Sequence, residues 1–343
     1  MDKKLIIEMA QALTEVAGVA GREHPAAEVA TKYLSQLGKV EISPLGSVYC
    51  KVCEGEQNAP HIMLEAHLDR IGLVVAHHEE NGFLRIGNVG GFDRRLLPAA
   101  PVTIHAESGD YAGVISSTPP HLSTGKEKPQ EMEDFLVDTG FSTDKAKELF
   151  APGDMITLDS RFTELANDRI CGGAMDDRIG CVAVIAAAQE IAKTKPNCTV
   201  TVLLAAQEET GGAGSGTATF HIKPDQAIAV DVSFGDGFGT KASKCGKLGD
   251  GTMIGIAPVL NRAMFQKLQE VAKKQDITSQ VEVMGGRTGT DSDNIATAGH
   301  GVRTALLSIP LRNMHTVVET ADVNDVIATA KLMAAYVKEV AEK

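Results

Sequence analysis

Two adjacent carboxylates, Glu208 and Glu209, close an apolar run in LLAAQEETGGAGS, residues 203–215, just before a glycine-rich segment. Paired negative charge at the end of a buried strand is costly unless a positive charge meets it. The pattern recurs elsewhere. His67 closes IMLEAH, Asp231 follows AIAV, His315 follows ALLSIP, and Asp176 stands in GGAMDDRIG at the opening of a helix. In open α/β sheets, function gathers outside the carboxyl ends of the strands. These distant segments are therefore expected on one rim, where one or two divalent cations supply the missing charge. Neutral His67 and His315 with Asp176, Glu209 and Asp231 carry three negative charges, which two such ions balance with room for one hydroxide. Mixed imidazole and carboxylate donors suit zinc, cobalt or manganese better than calcium. Glu208 is then left free of metal to take a proton from water.

That division between neighbouring glutamates requires the strand to end there, because side chains alternate along an extended chain. Glycines 211, 212, 214 and 216 permit the break and leave backbone open to a substrate. In AHLD, an extended chain points His67 and Asp69 to the same face, so Asp69 is expected to hydrogen-bond the imidazole and fix its tautomer. Taken singly, His67 could be a structural histidine, Asp176 a helix cap and Asp231 a turn acid. Their convergence favours the ligand reading for each. Asp177 is read as the cap or as a partner of Arg178. Asp291 is a candidate for the pocket border, and Arg70, Arg287 and Arg312 would favour acidic substrate groups if any of them lines the pocket.

The elements that must position these residues follow from the hydrophobic pattern. Up to about residue 69 and from about 166 onward, near-continuous apolar strands alternate with helices, which implies a sheet covered on both faces. Residues 70–165 instead show hairpin grammar, as in IGLVVAHHEENGFLRIGNVGG, and read as an inserted β-rich unit. The expected fold is α/β, with a mixed, largely parallel sheet flanked by helices, formed by residues 1–69 and 166–343. STGKEKPQEMEDFLVDTGF is charged and expected to be exposed.

Composition excludes other classes. The 343 residues carry a formal charge of −12, no tryptophan and 4% aromatics, which opposes nucleic-acid binding and offers no aromatic platform for polysaccharides. Leu5, Ile6, Met9, Leu13 and Val16 fall on one helical face, so the N-terminal segment reads as an amphipathic helix and not as a signal peptide. No run has the length of a membrane span, and the chain is expected to be cytoplasmic. Cys50 and Cys53 form a CxxC that no second pair answers, and they are read as reduced, packed thiols.

The chain resembles the M42 family of metal-dependent aminopeptidases, the glutamyl aminopeptidase and tetrahedral peptidase group. The resemblance covers nearly its full length through EAHLDRIG, NVGGFDRRLLP, PPHL, PGDMITLD, GGAMDDRIGC, QEETGGAGS, PDQAIAVDVS, GTDSDNI and MHTVVE, in that order. It implies a zinc-peptidase-like fold with an inserted β domain. His67, Asp176 and Asp231 would surround one metal, and Asp176, Glu209 and His315 the other. Asp176 would bridge, Glu208 would be the general base, and Asp69 would support His67. It also implies assembly into dimers and hollow shells, typically dodecamers. Arg70 departs from the family, which usually has a second acid there, and TVVE lacks a frequent proline. The expected reaction is removal of the N-terminal residue of short peptides. The alternatives are a deacylase of N-acyl amino acids and an inactive metal-binding assembly protein.

Overall fold

A computed structural model describes residues 1–122 and 130–342. Residues 123–129, part of the charged stretch expected to be exposed, lie outside the described residues. The main body is an eight-stranded sheet ordered Val40–Ile42, Val48–Cys53, Thr199–Ala205, His61–His67, Gln226–Phe234, Arg303–Leu311, Thr252–Ile256, Ser279–Val283. Its centre is parallel: His61–His67 lies between Thr199–Ala205 and Gln226–Phe234, and the latter pairs in parallel with Arg303–Leu311. The antiparallel pairs lie towards the margins.

The strands are apolar on both faces because helices cover both. Ile62, Leu64 and Ala66 point to one side, where they pack with Met175–Thr194, Val323–Ala341 and Lys3–Thr14. Met63 points to the other, with Ala218 of Ala213–Ile222 and Ile295 of Ser292–Thr297. This is the period-two alternation of a strand buried on both faces. Met175–Thr194 is almost wholly enclosed, its buried Ala186, Ala187 and Ala188 lying in that core. Cys50 is buried in the same core, while the Cys53 thiol donates to the Cys198 carbonyl at 3.3 Å.

Arg178, on the same central helix, is fully buried and donates to the carbonyls of Leu13, Val16, Ala17, Gly18 and Leu68. It thus ties the turn after the first helix to the strand that ends in His67. Burial brings its pKa down to about 9. Arg178→Met leaves these carbonyls without a donor and is expected to destabilise the chain by roughly 3–5 kcal/mol. Thermal unfolding checks this, and an unchanged midpoint would contradict it.

Between His61–His67 and Arg169–Gly172 the chain builds a second core. Strands Gly72–His78, Leu84–Val89, Pro101–Ala106, Gly109–Ile115, Leu136–Asp138 and Met155–Leu158 close into a barrel around Leu73, Ile86, Val102, Ile104, Phe135 and Ile156. Thr163–Leu165 lies outside the barrel, in a small antiparallel sheet with Arg169–Gly172 and Glu319–Asp322. That sheet brings Glu319 opposite Gly172, and therefore beside Asp176. Among the described residues no helix is long and apolar enough to cross a membrane.

Candidate active site

The carboxyl end of the central sheet gathers His67, Asp176, Glu208, Glu209, Asp231 and His315. His67 is the last residue of its strand, and its Nε2 lies 3.1 Å from Asp176 Oδ1 and 3.9 Å from Asp231 Oδ1. The other oxygen of Asp176, Oδ2, lies 3.3 Å from His315 Nε2, which is also 3.5 Å from Glu209 Oε1. Donor atoms of His67, Asp176 and Glu209 fall within 4.8 Å of one another, and so do those of His67, Asp177 and Asp231. His67, Asp176, Asp177 and Asp231 are buried, whereas Glu208, Glu209 and His315 are half-buried and face the open side.

Local structure explains the placement. The strand before Glu208 ends at Ala205, and Gln207 turns into the left-handed region at φ 63°. A short 3-10 turn, Glu208–Thr210, then sends the two glutamates in different directions. Gly214 packs directly on Ala206, where an added Cβ would sit 2.2 Å from the Ala206 carbonyl oxygen. Asp231 does not end its strand as the sequence suggested, since the strand runs on to Phe234. Its pairing with the His67 strand stops at Ala229, which opens the space that Asp231 faces.

Asp69 departs from expectation. Its carboxylate lies 3.7 Å from His67 Nδ1, beyond hydrogen-bond range, and the Asp69 backbone carbonyl takes that position at 3.2 Å. The carboxylate instead accepts the backbone N–H groups of Glu208 and Glu209, at 3.0 and 3.1 Å. The extended geometry assumed for AHLD fails because the strand ends at His67 and the chain turns off towards Gly18. Asp69 therefore orients the glutamates through their backbone, and the imidazole through its own carbonyl.

Asp177 neither caps the helix nor pairs with Arg178. Its Oδ2 accepts the His67 backbone N–H at 3.2 Å, and its Oδ1 is buried without a partner. Asp291 lies behind the glycine-rich turn, accepting from the Ser215 hydroxyl, and not at a pocket wall. Glu319 was quoted within MHTVVE but given no role. Its carboxylate accepts from the backbone of Met175, Asp176 and His315, joining the two segments that carry the Asp176 and His315 side chains.

The electrostatics show a site short of positive charge. Burial pushes Glu208 up to about 7 and Glu209 up to about 8, with neighbouring acids adding to the effect. Burial also raises Glu319 to about 8 and Asp231 well above the carboxylate range. His315 rises to about 9, chiefly through its bond to Asp176, and the two histidines hold Asp176 low against its burial. A pocket of about 350 Å³ opens beside Asp176, Glu209 and His315. Its walls include Arg70, Ile71, Phe92, Leu96, Leu158 and Val317.

Residues 46–332 match the family described as M42 glutamyl aminopeptidase. The chain belongs to that family. It is 34% identical over 340 residues to a lysyl aminopeptidase of Pyrococcus furiosus, covering 97% of this chain and 96% of that one. An aminopeptidase from the archaeon Desulfurococcus kamchatkensis has the same fold, with a TM-score of 0.91 and 31% identity, covering 98% of this chain and 95% of that one. The TET1 peptidase of Pyrococcus horikoshii, which can assemble into a tetrahedron or a large octahedral shell, matches with a TM-score of 0.86 and 30% identity over 96% and 98% of the two chains. The chain is thus an M42-family peptidase with a mixed α/β fold.

Proposed function

We propose that the chain is a two-metal aminopeptidase that removes the N-terminal residue of short peptides. The observation that carries this reading is the position of Asp176, whose two oxygens face His67 and His315 separately. The donor set passes a chemical test of fit. It combines imidazole nitrogens and carboxylates, suited to zinc, cobalt or manganese, and beside it, with His67 and Asp231, lies a buried Asp177 oxygen without a partner. His67, Asp176 and Asp231 would hold one ion, and Asp176, Glu209 and His315 the other. When bound, such ions polarise a carbonyl and lower the pKa of water.

The protein's own part is positional and basic. Asp69 fixes the turn that carries Glu208 and Glu209, and Glu319 fixes the backbone of Asp176 and His315. Glu208, which neither ion would bind, takes a proton from water and returns it to the leaving amine. The surrounding acids favour a substrate with a free, positively charged N-terminus. Dimers and a dodecameric shell are the proposed assembly, supported by the likeness to the Pyrococcus horikoshii peptidase and by exposed Phe234, Phe238 and Val283. The proposed compartment is the cytoplasm, in keeping with six free cysteines.

The test is a panel of dipeptide amides and their N-acetylated twins, run on protein loaded with zinc, cobalt or manganese. Free amines are expected to be cleaved and acetylated ones refused, by roughly a hundred-fold or more in kcat/KM. Preference for the acetylated twins would make the chain a deacylase. No cleavage at all would make it an inactive binding protein.

A further inference from the structure

We propose that Arg70 makes the pocket beside the candidate metal site a carboxylate-recognition site, holding an aliphatic carboxylate of the peptide substrate. This rests on the aminopeptidase reading for its substrate and on the following geometry for its chemistry.

Arg70 is 8% exposed, and among the described residues its guanidinium makes no hydrogen bond and no ion pair within 4.0 Å. Its Nε is enclosed without a partner. A guanidinium carries five donors and stays charged in proteins. Leaving an enclosed donor of a cation unmatched is unfavourable, and the Nη groups keep contact with solvent in the neighbouring space. The fold therefore presents a cation whose anion comes from elsewhere. The acid whose charge acts on it is Glu319, but Glu319 already accepts from the backbone of Met175, Asp176 and His315. Arg178, more deeply buried still, shows the contrast, because carbonyls surround it.

Position gives the orphan cation a use. Arg70 lines the pocket of about 350 Å³ that also contains Asp176, Glu209 and His315. The remaining walls are largely apolar, through Ile71, Phe92, Leu96 and Val317. Arg70 is the one Arg or Lys side chain of this lining, which also includes Asp159 and Glu319, and the apolar walls accept a methylene stem whose carboxylate reaches the guanidinium. Arg287 and Arg312 do not line this pocket, and each has an acid nearby, Asp293 at 3.6 Å and Asp236 at 2.9 Å.

The carboxylate has three possible sources on a peptide: an acidic side chain at the first residue, one at the second, or the C-terminal carboxylate of a dipeptide. Matched substrates separate them. Glu is compared with Gln at the first and then the second position, and a free dipeptide with its C-terminal amide. Wild-type protein is expected to favour the charged member of one of these pairs by roughly 10–100-fold in kcat/KM. Arg70→Met is expected to abolish that ratio by lowering kcat/KM of the charged member towards that of its uncharged twin. Arg70→Lys, which keeps the charge but not the fork, is expected to retain part of the ratio. Ratios near one for every wild-type pair would overturn the proposal, as would a uniform loss in Arg70→Met that spares no substrate.

If no peptide is cleaved, the aminopeptidase reading fails separately, and binding decides the role of Arg70. Calorimetry on the metal-loaded protein compares glutarate with glutaramate, which differ in one carboxylate. Glutarate bound roughly ten-fold tighter by wild type, but not by Arg70→Met, supports the site. Equal affinities in wild type reject it.

Discussion

Glu208→Gln retains divalent metal like the wild type and loses roughly a thousand-fold in kcat. The substitution keeps the shape of the side chain and the backbone N–H that Asp69 holds at 3.0 Å. It removes only the ability to accept a proton. Glu208 is suited to that task because burial, with the charges of Asp291, Asp176 and Asp69 added, raises it to about 7 against the lowering effect of His67. That value is for the metal-free rim; cations beside it favour the ionised form, which is the form that accepts the proton of an activated water. Metal content and steady-state kinetics are measured on one preparation. Turnover near wild type would remove Glu208 from the mechanism, and loss of metal would make it a ligand.

Chelation gives the second large effect, and it depends on pH. Without cations the rim holds Glu208 near 7, Glu209 and Glu319 near 8, and Asp231 and Asp177 raised well above the carboxylate range, all chiefly through burial. A carboxyl group raised by folding favours the fold when neutral. Its stability is intact below its unfolded pKa and falls as pH climbs towards the folded value. His67 and His315 are also raised, so their contribution is complete below the ordinary imidazole value and is lost as pH passes the folded one. Asp176 is lowered, and its contribution is lost only in acid, below the ordinary aspartate value. Between about pH 5 and about pH 9 the shifts therefore share one sign.

The metal-free protein is expected to lose melting temperature steadily across that window. Bound cations favour the ionised acids, so the loaded protein loses less and the gap widens with pH. At a thousand-fold excess of metal over its Kd the gain is about 4 kcal/mol, or on the order of 10 °C. Thermal melts with and without chelator check it. Parallel curves would show that these acids do not meet a cation.

The rim was legible in the sequence because His67, Glu208, Glu209, Asp231 and His315 end or follow apolar runs, which report buried strands directly, and Asp176 opens the long apolar helix. Its supports were not, because they act through backbone contacts across long stretches of chain. Glu319 reaches Asp176 through the pairing of Gly172 with Glu319, two segments far apart in the chain. No local pattern signals such a pairing. Asp69 was legible as a partner of this site but not in its geometry, since the chain leaves the extended conformation at the residue that matters. Glu65 lay unnoticed within HIMLEAH, although an acid inside a buried strand is itself a signal. It is fully buried, and burial together with the facing Asp291 carboxyl, to which it hydrogen-bonds, raises its pKa well above the carboxylate range. Arg178 was read beside Asp177 because they are neighbours in sequence. The helix instead sends its guanidinium to the carbonyls of the first turn.

The most direct test is a crystal structure of zinc-loaded protein with anomalous data collected on either side of the zinc edge. Two peaks per chain are expected, one on each side of the Asp176 carboxylate. The first should be ligated by His67 and Asp231 and the second by Glu209 and His315, with Glu208 bound to neither. A single peak, or none at full zinc occupancy in solution, would contradict the two-ion site.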